Sequence, residues 1–103
     1  MPGLGGALGW NYTHLSGAAT TDIFTGIGAT QATSSSPANV GLYGGIVINT
    51  AGTSVTVLDG AGVTLAVFGA VSGTFTLTGS GIQLKNGLRI TIVGAADVTV
   101  LWA

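Results

Sequence analysis

The sequence predicts an all-β domain, an antiparallel β-sandwich of jelly-roll-like type with eight or nine short strands. Three observations predict it. Apolar and polar residues alternate with period two in most segments, as half-buried strands do. Clusters of turn-forming residues recur at a spacing of roughly 8–12 residues, the mark of a sandwich or barrel. No window carries the i, i+3, i+4, i+7 pattern of an amphipathic helix, which excludes βαβ units and a parallel sheet.

The elements follow in order. Residues 1–9 are Gly-rich and read as a flexible arm, leaving 10–103 as the single sandwich domain. Residues 10–15 and 19–25 read as strands. Residues 32–39 (ATSSSPAN) are polar, contain Pro37 and read as a loop. Residues 41–50 form a strand with Ile46 and Ile48 inward. In 53–58, Val55 and Val57 share one face with Ser54 and Thr56 opposite. Asp59-Gly60-Ala61-Gly62 is a turn leading to 63–68, where Val63, Leu65 and Val67 are expected on one face. Residues 74–78 alternate strictly, with Phe75 and Leu77 expected inward. After the turn at 79–81 comes a short strand, 82–84. Asn86-Gly87 then supplies a tight turn, because both residues tolerate positive φ. Strands 88–93 and 97–102 close the chain, with Leu88, Ile90 and Ile92 on one face and Val98, Val100 and Trp102 on another. The short link Gly94-Ala95-Ala96 predicts a hairpin between them.

Composition narrows the function. The 103 residues suit one domain. Only 5% are charged, against about 25% in an ordinary soluble domain. Gly, Ala, Ser and Thr take the place of the missing ions. Such a surface has little self-repulsion, so the expectation is that another protein covers much of it. Two basic residues cannot neutralise a run of phosphates or hold an anionic bilayer, so neither nucleic acid nor membrane is expected as a partner. The chain has no Cys, which excludes disulfides, thiolate metal sites and Cys nucleophiles. No Lys or Arg precedes Lys85 and Gly interrupts every apolar run, so no secretory leader is read in the first residues.

Catalytic readings are weak. The titratable groups in the neutral range and below are His14, Asp22, Asp59 and Asp97. Asp59 and Asp97 read as turn residues, Asp22 lies in or beside a strand, and His14 reads as an exposed or interface polar residue. A lone His without Cys or Glu makes a poor metal shell. Ser34, Ser35 and Ser36 sit in the polar loop with no G-x-S-x-G elbow. The glycines at 3, 5, 6, 26 and 28 match no dinucleotide or phosphate fingerprint. The expectation is no enzyme, no cofactor and no metal. The candidate interface anchors are Trp10, Tyr12 and Trp102, aromatic residues near the chain ends, with closure of the sandwich core as the alternative role.

A linked series of segments carries a family resemblance. It consists of Ile46-Val47-Ile48-Asn49-Thr50, then Val55-Thr56-Val57-Leu58-Asp59-Gly60, then Asn86-Gly87-Leu88, then Gly94-Ala95-Ala96-Asp97-Val98-Thr99-Val100-Leu101-Trp102 near the C-terminus. Residues 41–103 thereby resemble small tailed-phage virion proteins of the capsid decoration, or cement, type. The resemblance implies a sandwich that binds the outer surface of a phage head, with itself (as a homotrimer) and the major capsid protein as partners. It implies no catalytic residues. A tail or fibre module recognising a host glycan or protein, and a non-viral self-assembling β protein, are the alternatives.

Overall fold

A computed structural model describes residues 11–25, 41–77 and 81–103. The expected arm at 1–9, Trp10 and the loop at 32–39 lie outside the described residues. Among the described residues nine strands are formed: β1 (Asn11–Ser16), β2 (Ala19–Thr25), β3 (Leu42–Thr50), β4 (Ser54–Asp59), β5 (Thr64–Phe68), β6 (Gly73–Thr76), β7 (Ile82–Gln83), β8 (Gly87–Val93) and β9 (Asp97–Trp102). Every pairing among them is antiparallel.

One sheet runs β1-β9-β3-β6, with β7 also on β3, and the other runs β2-β8-β4-β5. The pairs β1·β9, β2·β8, β3·β6 and β4·β5 are those of one long hairpin folded back on itself. Rolling that hairpin adds β3·β9 and β4·β8. The result is a β-sandwich with the jelly-roll-like topology expected of the sequence, and β7 is an extra strand.

The core fills the space between the sheets. Ile46, Ile48, Val98 and Val100 come from one sheet, and Val55, Val57, Leu88 and Ile90 from the other. Each contributes roughly 1.5–3 kcal/mol on burial. Two aromatic pairs bridge the layers near opposite sides. Phe24 meets Trp102 with ring centroids 5.8 Å apart, and Phe68 meets Phe75 at 4.6 Å.

Three expectations are corrected. First, 88–93 and 97–102 do not form a hairpin, because β8 and β9 lie in opposite sheets. The link's backbone bonds to other links instead of joining its own strands. Gly17 N donates to Ala96 O at 3.0 Å, and Thr53 N donates to Val93 O at 2.8 Å. The crossings β1 to β2, β3 to β4 and β8 to β9 thus pack as three corners at one end of the sandwich. Second, Val63 and Val67 are exposed, at 57% and 64%. A bulge between Val57 and Leu58 pairings inserts Leu65 as an extra residue. The parity of β5 shifts there, so Ala66 and Phe68 pack on the core together with Leu65. Third, Leu77 is exposed, because β6 ends at Thr76 and the Leu77 N–H turns to Gly44 O.

Candidate functional site

The outer faces of the two sheets and the edges of the sandwich are what this fold offers a partner. Register defines the outer face of the β2-β8-β4-β5 sheet. Thr20, Thr91, Thr56 and Val67 form one row across all four strands. The Thr20 and Thr91 hydroxyls hydrogen-bond at 3.1 Å. In the next row Arg89 Nε donates to Asp22 Oδ1 at 2.8 Å, and the same guanidinium reaches Gly60 O at 3.4 Å. The pair is part-exposed, so it stabilises little, but it cancels the charge of this face.

The outer face of the other sheet carries a polar cluster. His14 on β1 faces the start of β9, and its Nε2 lies 2.7 Å from Asp97 Oδ1. A carboxylate only accepts, so Nε2 holds the proton of this bond. Asn49 Nδ2 on β3 donates to the same oxygen at 3.2 Å. The bond from His14, reinforced by that from Asn49, holds the Asp97 carboxyl below the usual carboxylate range. Sequence reading treats Asp97 as a turn residue and His14 as solitary. It misses the cluster because 83 and 48 positions separate Asp97 from its partners. Only the β1-β9-β3 order brings them together. Among the described residues no third His, Cys, Asp or Glu joins them as a metal ligand.

The remaining carboxylate behaves as its turn position suggests. Asp59 Oδ1 accepts from the backbone N–H of Ala61 and of Val63, both at 2.9 Å, and closes the β4-β5 turn.

The anchor candidates separate. Trp10 lies outside the described residues. Tyr12 sits on edge strand β1, opposite Leu101 on the outer face, and is 72% exposed. Trp102 points the other way. It packs against the core, stacks near Phe24 and donates its indole N–H to Thr13 Oγ1 at 2.9 Å. Its polar handle is already used, so it closes the sandwich.

A cleft of about 460 Å³ lies between β5 and β6, where the two sheets part at their shared edge. Its walls include Tyr43, Leu65, Phe68, Phe75, Leu77 and Ile82. Burial pushes the Tyr43 phenol up to about 12, so it stays neutral in any ordinary medium. None of His14, Asp22, Asp59, Lys85, Arg89 and Asp97 lines this cleft.

No protein-family model matches the chain, and no curated protein and no solved structure matches it at the level that marks a relative.

Proposed function

We propose that the chain is a structural virion protein, a capsid decoration or cement protein that binds the outer surface of a phage head as a homo-oligomer and stabilises it. The observation that carries the reading is the nature of the outer faces. One is a row of Thr and Val crossing four strands, and its two charges neutralise each other at 2.8 Å. Covering such a face removes apolar and hydroxyl surface from water without stripping unpaired ions, which is costly. Many copies, each weakly held, then reinforce one another on a repeating shell. The resemblance of residues 41–103 to decoration proteins supports the same reading.

A tail or fibre module is the second reading, and exposed Tyr12 favours it, because a free ring can stack on a sugar. Mass spectrometry of purified heads and tails separates the two. The proposal expects the chain in the head fraction in many copies, and heads lacking it that open at lower temperature or lower salt. A chain found only with tails supports the second reading. Heads of unchanged composition and heat resistance after its loss overturn the cement role.

A further inference from the structure

We infer that copies of this chain meet head to tail, with Tyr12 of one copy seated in the β5/β6 cleft of the next. The inference rests on the self-assembly proposed above and specifies its contact.

The two parts are complementary and lie on opposite sides of the molecule. In the order β1-β9-β3-β6, Tyr12 belongs to one terminal strand and Phe75 to the other. Tyr12 is the most exposed large apolar side chain among the described residues. The cleft is an apolar hollow at the edge of the core, and 460 Å³ has room for a phenol ring with neighbouring groups. Thr74 and Thr76 line it too, so a hydroxyl inserted there meets hydroxyl partners. An aromatic knob in an apolar pocket with a polar rim is the usual energetic centre of an interface.

A second copy is the occupant the geometry favours. A molecule's own Tyr12 cannot fill its own cleft, because β9 and β3 stand between them, about 14 Å of sheet at the spacing of paired strands. The partner must also be neutral. Strands β5, β6 and β7 carry no Asp, Glu, Lys, Arg or His, so a charged intruder finds no counter-ion. The β1 edge presents a neutral ring, while His14 beside it is already engaged with Asp97. Knob and cleft on opposite edges make the contact heterologous, and such contacts close into rings when the rotation allows. A ring of three matches the proposed homotrimer.

The absence of cysteine makes the test clean. Asn11→Cys, which keeps the neighbouring Tyr12 ring, and Ile82→Cys are prepared as separate variants of distinguishable mass, then mixed and oxidised. Both side chains are exposed, so the fold tolerates the changes. The expected result is a disulfide between one chain of each variant, with little cross-linking in either variant alone. Tyr12→Ala is expected to weaken self-association about tenfold or more, as loss of an anchor does, and Tyr12→Phe to restore most of it. Native mass spectrometry reads the assembly state in parallel. An oligomer that forms no mixed disulfide, or in which single variants cross-link to themselves as well as the mixture does, overturns the head-to-tail contact and leaves self-assembly standing. A monomer at every concentration overturns both.

Discussion

Alanine substitution of three glycines tests the corner cluster that turns this chain into a roll. Gly17 and Gly94 share nearly the same backbone angle, φ +89° and +88°. A Cβ at Gly17 meets nothing within 4 Å. Gly17→Ala therefore reports backbone strain alone. A left-handed L-residue costs roughly 1–2 kcal/mol, partly offset by about 0.4–1 kcal/mol from a stiffer unfolded chain. The net expectation is a loss of about 1 kcal/mol, or ~4–8 °C in Tm for a domain of this size. At Gly94 the same strain applies, but a Cβ would also sit 2.7 Å from Thr53 N and 2.9 Å from Thr53 Oγ1. Overpacking adds roughly 1–3 kcal/mol. Displacing Thr53 weakens its bond to Val93 O, worth about 1 kcal/mol. Gly94→Ala is thus expected to lose about 3–5 kcal/mol. Gly52 supplies the complement: its Cβ would lie 2.8 Å from Ala96 N, with no positive φ. Gly52→Ala reports contact alone, about 1–3 kcal/mol. Thermal and denaturant unfolding of the three variants gives the values. If Gly94→Ala costs no more than Gly17→Ala, or Gly52→Ala is neutral, the corners do not pack as argued.

Three further predictions concern the sheets. Val67→Ala is expected to change stability by less than about 0.5 kcal/mol because the side chain faces solvent, whereas Ile90→Ala loses about 2–5 kcal/mol from the core; equal losses in unfolding experiments would contradict the bulge in β5. Thr13→Val leaves the half-buried indole N–H of Trp102 without its partner, and chemical denaturation should show a loss of about 1–2 kcal/mol, whereas in a Trp102→Phe background, which has no indole N–H, Thr13→Val should cost little further. Asp97 has a lowered folded pKa, so its contribution is complete above the unfolded carboxylate value near pH 4 and is lost as pH falls through the lower folded value. Tm measured from pH 6 to pH 2 should therefore fall less steeply in Asp97→Asn than in the parent, and parallel curves would refute the linkage.

Among the described residues, each of the nine strands falls where the sequence predicts one, and period-two alternation chose the inward faces of β3, β4, β8 and β9. The physical reason is local: with one face dry, apolar residues must recur every second position. The same rule misassigned Val67, because one inserted residue at Leu65 reverses parity and no composition signal marks that insertion, and it misassigned Val63, which belongs to the Asp59 turn ahead of β5. It also read Gly94-Ala95-Ala96 as a hairpin turn, because three small residues serve a turn and a sheet-crossing corner equally well. Aromatic type alone could not separate Tyr12 from Trp102. One faces solvent and the other the core only through their register, Tyr12 opposite Leu101 and Trp102 opposite Asn11.

The low charge and the strand pattern of this chain were determined by sequence alone, since both depend on residue type and near neighbours. Which strands pair, and hence the meeting of His14, Asn49 and Asp97 and the cleft between β5 and β6, was decided by tertiary structure. Those features join residues far apart in the chain, and the order of strands in a rolled hairpin is set by how two apolar sheet faces cover each other.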